Sequence, residues 1–419
     1  MAEVLPFNAL HFNPEQVEIG DVVAPPYDVI DAAGRTALVG RSPHNVVELD
    51  LPEARDGSDI YEHAAANLAA WEEQGILVRD DSPSIWALEQ EYSTPEGERR
   101  TRRGFLARVR VTEYGPGLIR PHERTQPGPK EDRLRLTRAT AHNLSPIFVL
   151  HQGEAFSKLE PALENREPFC EVSDDDGTLH RAWKITDPAV HEQLSAALAD
   201  SELLIADGHH RYETARAYAE EIGGDGEHRY TLAALVSLED PGLSVFATHR
   251  LLHDLDTPKQ EALRDTLLAH FDVSQVTLET LVPDRDDGPA AFGYIDAHHK
   301  QPWRLTLKDT ASLDDAPALA ERSEPYRRLD AAALEALILG GALGMSTDDI
   351  AAKRGLSYCS VTSEAIDRVL RGEADAAFIL RPTPVEQVRA IADEGENMPP
   401  KSTFFFPKLL TGLAFNPLR

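Results

Sequence analysis

Apolar residues recur along this chain in alternating blocks of two periods, which predicts a protein built from both strands and helices. From Ser58 to Gln74, Ile60, Ala64, Leu68 and Trp71 fall on one helical face, and Gly75 marks the stop. Ser84–Tyr92 and Arg103–Val111 read as strands. In the second, Phe105, Ala107, Val109 and Val111 alternate with other side chains, and Thr94-Pro95-Glu96-Gly97 is the hairpin turn between the two. The N-terminal stretch predicts a strand over Phe7–Phe12, then a loop in which Pro25 and Pro26 display Tyr27 and Asp28. A helix over Glu131–Ala141, strands over Asn143–Leu150 and Arg181–Ile185, and helices over Ala155–Leu163 and Pro188–Asp200 follow.

Further on, Thr231–Leu238 and Val245–Leu251 read as strands and Glu261–Phe271 as a helix. Strands are also predicted near Phe292–Ile295, Trp303–Leu307 and Ala376–Leu380, with helices over Ala331–Leu339 and Val385–Glu394. Between Asp348 and Leu370 the run Asp349-Ile350-Ala351-Ala352-Lys353-Arg354-Gly355-Leu356-Ser357 has a faint helix-turn-helix look. Three consecutive phenylalanines, Phe404 to Phe406, predict an ordered end rather than a free tail. The expected division is an N-terminal α+β region (residues 1–255) carrying the site, a peripheral α+β region (256–390), and a C-terminal strand and tail (391–419) packing back on the core.

At 419 residues the chain exceeds what one core comfortably fills. Its formal charge of −29 opposes attraction to nucleic acid or anionic membrane, and weakens the DNA-reading alternative. There is no apolar run of membrane-spanning length, no leader-like start and no repeat, so a cytoplasmic location is expected. Cys170 and Cys359 suit a reducing compartment and read as small buried hydrophobes. No phosphate-loop or dinucleotide fingerprint occurs. No pattern bears on oligomeric state.

Against that acidity, Arg99–Arg138 holds twelve basic residues and four acidic ones, a local balance of +8 that invites an anion. Within it lies a loop crowded with titratable groups, His122, Glu123, Arg124 and Lys130 among prolines, just before Arg133. The second chemical focus is Leu203-Leu204-Ile205-Ala206-Asp207-Gly208-His209-His210-Arg211, an apolar strand meeting a glycine and then helix formers. Glycine permits close backbone approach, and the first N–H groups of a helix attract anions, phosphate above all.

Four stretches in order, Ala24-Pro25-Pro26-Tyr27-Asp28-Val29-Ile30, Pro121-His122-Glu123-Arg124-Thr125, Ala206-Asp207-Gly208-His209-His210-Arg211-Tyr212 and Met398-Pro399-Pro400-Lys401-Ser402-Thr403-Phe404, resemble the uncharacterised prokaryotic family filed as domain of unknown function 1015. The central motif is also similar to the Asp-Gly-His-Thr-Arg signature of ParB-like free serine kinases, and more remotely to the Gly-Cys-His-Arg of sulfiredoxin. His210 stands where those kinases have threonine. The resemblance implies an α/β (α+β) fold with a ParB/sulfiredoxin-like nucleotide-binding core on a mixed sheet, elaborated by a further α+β region. It also implies phosphorylation of free L-serine to O-phosphoserine by ATP or ADP with Mg²⁺, so that the partners are a nucleotide and a small hydroxy compound.

On that reading Gly208, His209, His210 and Arg211 cradle phosphate, and Asp207 holds Mg²⁺ or orients a histidine. Glu123 is the first candidate for the general base and Asp28 the second. Arg124, Lys130, Arg133 and Lys401 are available to neutralise the transferring phosphate or to hold the substrate carboxylate. Tyr27, His122 and Ser402 join them on the substrate side. Two alternatives stand beside this one: a ParB-like nucleotide-binding or DNA-associated regulator, and a metal-dependent phosphohydrolase using Asp207, His122, His209 and His210.

Overall fold

The computed structural model describes residues 3–419 other than 55, 56, 58, 96, 117, 124–126 and 286, and only the backbone of 127–129. The chain forms two compact units, the first from Met1–Pro121, Thr125–Leu243 and Pro407–Arg419, the second from His122–Arg124 and Ser244–Phe406.

The first unit is a mixed α/β structure on a nine-stranded sheet. Its strands are β1 (Val4–Leu5), β2 (Ile85–Ser93), β3 (Arg99–Arg110), β4 (Ile119–Arg120), β5 (Ile147–His151), β6 (Cys170–Ser173), β7 (Leu179–Ile185), β8 (Leu203–Asp207) and β9 (Tyr230–Ser237). They lie in the order β4-β8-β5-β9-β3-β2-β7-β6, with β1 added to β3. The β4/β8 and β5/β9 pairs are parallel and the rest antiparallel. The four helices that matter for the site are α1 (Ile60–Glu73), α2 (Pro127–Thr140), α3 (Pro188–Leu198) and α4 (His209–Ile222). Phe105, Val149, Ile205 and Leu235 from the sheet pack with Leu194 and Leu198 of α3 in a closed apolar core. Each such side chain contributes ~1.5–3 kcal/mol by leaving water. Residues 407–419 are sewn into this unit: Thr411 exchanges backbone bonds with Ala24, Phe415 with Leu10, and Asn416–Pro417 pairs with His142–Asn143.

The second unit carries a six-stranded sheet of β10 (His249–Leu252), β11 (Phe271–Gln275), β12 (Ala291–Asp296), β13 (Trp303–Leu307), β14 (Leu356–Cys359) and β15 (Ala376–Ile379). The order is β11-β13-β12-β15-β10-β14, all antiparallel. Helices α5 (Thr257–His270), α6 (Thr362–Leu370) and α7 (Val385–Asp393) belong to it, and Ala365, Ile366 and Val369 of α6 pack on Leu251, Ala377 and Ile379. Among the described residues no helix is long and apolar enough to cross a membrane. Both cysteines are free and buried.

Several local expectations are revised. Val245–Leu251 is two strands, because Ser244–Phe246 pairs with Phe404–Phe406 while His249–Leu252 joins the six-stranded sheet, and one straight strand cannot serve both partners. The helix-turn-helix look is overturned: Gly355 at φ 69° turns the chain after a short helix (Thr347–Ala351), and Leu356–Cys359 runs as β14 on His249–Leu252. The Ala331–Leu339 helix starts as an α-helix (Asp330–Leu334) and widens into a π-helix over Glu335–Ala342, which contains Gly340 and Gly341. Helix α2 begins at Pro127, four residues before the expected start, since proline is tolerated where a helix has no N–H partner to lose.

The basic segment is also not an anion trap as a whole. Its arginines are answered by carboxylates, Arg103 by Glu89 at 3.2 Å, Arg120 by Glu202 at 2.8 Å and Arg135 by Asp59 at 2.8 Å among them. Most of the +8 is consumed in such pairs, and exposed ones contribute only tenths of a kcal/mol to about 1 kcal/mol.

Candidate functional site

In the first unit, strand β8 delivers Asp207 to the sheet's end, and Gly208 turns the chain at φ 89°, ψ 28° into α4. Left-handed backbone of this kind favours glycine. A second reason is steric, because a Cβ on Gly208 would lie 3.0–3.1 Å from Nε, Cζ and Nη2 of Arg211. The guanidinium therefore folds over the glycine. Arg211 Nη1 donates to the Pro146 carbonyl, and Nη2 stands 3.7 Å from Asp207 Oδ1. Tyr212 N–H donates to the Gly208 carbonyl at 3.0 Å, closing the first turn of α4.

Asp207 is held from a second side by Lys408, whose Nζ is 2.7 Å from Oδ2. Burial pushes the Asp207 carboxyl up, but the charges of Lys408, Arg211 and His209 outweigh it and hold the group well below the usual carboxylate range. Lys408 is set in place through its backbone: Gln90 Nε2 donates to the Lys408 carbonyl at 2.9 Å, and the fully buried Arg102 donates to the Pro407 carbonyl at 2.6 Å.

A second group of charges adjoins Arg211. Arg133, buried on α2, donates Nη1 to the carbonyl and Oδ1 of Asp50 at 2.6 and 3.2 Å, and stacks over the Tyr27 ring at 4.2 Å. Asp50 is itself buried, and its Oδ2 has no hydrogen-bond partner among the described residues. Burial pushes its carboxyl up, opposed by Arg133 and Arg211 and assisted by Asp28 and Asp132. Burial likewise raises the Tyr27 phenol, against Arg211 and Arg133. Asp28 is exposed on the lip beside them. A cavity of about 30 Å³, the size of a water molecule, lies between Asp50, Arg133, Arg211, Ser145, Thr214 and Thr231.

Of the residues singled out by sequence, Tyr27, Asp28, Arg133, Asp207, Gly208, His209, His210 and Arg211 therefore share the first unit. Lys130 shares it too, with its ammonium in an ion pair with Glu213 of α4 at 3.1 Å. His122, Glu123, Lys401 and Ser402 belong to the second unit. There, His122 Nε2 meets Thr403 Oγ1 at 3.0 Å, Glu123 bridges to Met398 and acts electrostatically on Arg250 and Tyr358, Ser402 Oγ donates to the Pro399 carbonyl, and Lys401 is exposed at φ 58°. Arg124 lies outside the described residues. Sequence reasoning missed Lys408 and Asp50. The signal for Asp50 was Glu48 and Asp50 set inside the apolar run Val46–Leu51, where acids stay only if paired.

Among the described residues no group of three or more His, Cys, Asp or Glu side chains is placed to hold a metal ion. Asp207 is already a counter-ion to Lys408 and Arg211, so the donor set does not fit a resident Mg²⁺. What the arrangement offers is fixed positive charge, the N-terminus of a long helix and a polar lip.

A family model described as protein of unknown function (DUF1015) matches residues 4–332. No curated protein matches the sequence. Among solved structures, a conserved hypothetical protein from Pyrococcus furiosus is similar at 15% identity and TM-score 0.34, over 68% of this chain and 86% of that one. A free serine kinase in complex with AMP is similar at 14% identity and TM-score 0.37, over 72% and 88%. SbnI with a C-terminal truncation, from Staphylococcus aureus, is similar at 13% identity and TM-score 0.37, over 73% and 85%. These likenesses are remote.

Proposed function

The chain belongs to the DUF1015 family of proteins of unknown function, and from its site chemistry we propose that it is a nucleotide-dependent phosphotransferase acting on the hydroxyl of free L-serine. The observation that carries the proposal is Gly208 in left-handed backbone at the head of a 14-residue helix, with Arg211 folded over it and Asp207 locked between Arg211 and Lys408. Positive charge held in fixed geometry is what transfer of a phosphoryl group needs, since the chemistry is mainly positioning and charge neutralisation.

In the proposed reaction the serine Oγ forms a bond to the terminal phosphorus of ATP or ADP, and the bond from that phosphorus to the bridging oxygen breaks. The hydroxyl proton passes to a carboxylate, and the leaving nucleotide keeps the electron pair. The N-terminus of α4, with the side chains of His209 and His210, is given the phosphate role, and Lys408 and Arg211 set the local potential. Asp28, exposed beside Tyr27 in the same unit, is favoured for the proton, with Glu123 as the competing carboxylate. Arg133 and Arg211 suit a carboxylate on the acceptor. Mg²⁺ enters with the nucleotide, and no step is assigned to it.

The test is incubation of the purified full chain with Mg²⁺, ATP or ADP, and a panel of amino acids, followed by mass spectrometry of the products. O-phosphoserine formed in preference to other phosphorylated amino acids is expected. Nucleotide turnover that no hydroxy amino acid stimulates would overturn the reading.

A further inference from the structure

The second unit contains a cavity of about 650 Å³, within the range of small-molecule sites. It lies between helix α5 and one face of the strands β11, β13 and β12. Where α5 runs directly into β11, the rings of Phe271 and Phe292 are buried and lie 5.8 Å apart. The helix lines the cavity with Leu263, Leu267 and Leu268 beside Glu261 and Arg264, and the sheet supplies Tyr294 and Trp303, which are cross-strand partners. The gap between short aliphatic and flat aromatic walls is the cavity.

Its charged groups are mainly acidic, with His298 and His299 also in the lining. Glu261, Asp296 and Asp375 line it, against a single guanidinium, Arg264, which is already paired with Asp265 at 2.8 Å. Asp375 Oδ2 accepts from Leu255 N–H at 2.9 Å, and among the described residues nothing donates to its other oxygen. Asp296 accepts from the backbone N–H groups of His298 and His299, and His299 Nδ1 lies 3.1 Å from each of its oxygens, which fixes its carboxylate at the cavity wall. Burial and the Asp296 charge raise the Tyr294 phenol, so it stays a neutral ring with a hydroxyl to donate. Electron-rich ring faces beside carboxylates select a cation, since both attract positive charge and a bare anion would meet two repulsive walls.

We propose that this cavity binds a small organic cation with an apolar or aromatic body, its ring against Trp303 and Tyr294 and its ammonium toward Asp375 and Asp296. The proposal is independent of the phosphotransferase reading. It assigns a ligand to a cavity built wholly from the second unit.

The test is calorimetric titration of the full chain with three probes of one shape: 2-phenylethylamine, neutral 2-phenylethanol and anionic 3-phenylpropanoate. The amine is expected to bind about tenfold or more tightly than either of the others. Asp375→Asn keeps the acceptor for Leu255 but removes the charge, and Val273→Trp fills the mouth from an exposed position. Each is expected to reduce amine affinity by about tenfold, with the folded state verified by circular dichroism. No binding of the amine, equal binding of the three probes, or amine binding unchanged in both variants would each overturn the proposal.

Discussion

Lys408 Nζ lies 2.7 Å from Asp207 Oδ2, joining residues 201 positions apart in the chain. The pair makes the C-terminal segment part of the candidate site, and Arg102 and Gln90 hold that segment by the Pro407 and Lys408 carbonyls. Removing the charge in Lys408→Met strands a partly buried carboxylate that retains Arg211 and His209 as its nearby positive charges. A loss of about 1–3 kcal/mol at neutral pH is expected in denaturant unfolding. The folded-state pKa of Asp207 is depressed, so its contribution is present above the unfolded carboxyl value near about 4 and disappears as the pH falls through the folded value. The stability gap between wild type and Lys408→Met should therefore narrow in acid below about pH 4. A gap independent of pH would mean that Lys408 acts through packing alone.

Gly208→Ala combines two penalties, a side chain in left-handed backbone and a Cβ about 3 Å from the Arg211 guanidinium. The expected cost is about 1–3 kcal/mol, read as a shift of the unfolding midpoint with unchanged m-value. Arg211 must also give way, so nucleotide affinity should fall in the same variant. If stability is lost while nucleotide binding is untouched, the turn is structural and not part of the cradle.

Asp50 behaves in the opposite sense to Asp207. Its folded-state pKa is raised, chiefly by burial, so the protonated form is favoured by folding and the stability this lends is lost as pH rises through the folded value. Asparagine cannot ionise. Asp50→Asn should accordingly be most harmful near pH 4 and progressively less harmful toward neutrality, when the wild type must carry a buried charge whose Oδ2 has no described partner. Unfolding curves of the two proteins at several pH values check this. A variant that becomes relatively worse as pH rises would show that Arg133 fully compensates the carboxylate.

Much of the architecture was legible because period and punctuation agree. Ile60, Ala64, Leu68 and Trp71 mark α1, Asp207 and Gly208 mark the strand-to-helix junction, and Gly223 at φ 70° ends α4 as its position suggests. What was not legible depends on partners far away in sequence. Nothing local says that Val245 and His249 pair with different strands, or that Leu356 continues as a strand when helical residues precede it. The arginines of the Arg99–Arg138 segment looked available for an anion because their carboxylates, such as Glu89 and Glu202, stand elsewhere in the chain. Lys401 and Lys408 were equivalent as letters around three phenylalanines, and only the backbone grip of Arg102 and Gln90 distinguishes the lysine that meets Asp207.

The choice of general base gives the sharpest functional prediction. Asp28 is exposed beside Tyr27, and its charge is felt by Tyr27 and by Asp50, which also feels Arg133, Arg211 and Asp132. Glu123 instead shares its surroundings with Arg250 and Tyr358 in the second unit. If Asp28 accepts the serine proton, Asp28→Asn should lower kcat by about 10²–10⁴-fold while nucleotide affinity changes little, because an amide keeps the shape but cannot take a proton. Glu123→Gln should then retain most of the turnover. The reverse pattern, full activity in Asp28→Asn and none in Glu123→Gln, would transfer the role to Glu123. The pH profile separates base loss from structural damage: a missing base removes the acidic limb of kcat against pH, whereas a loosened site lowers the whole curve and leaves its shape.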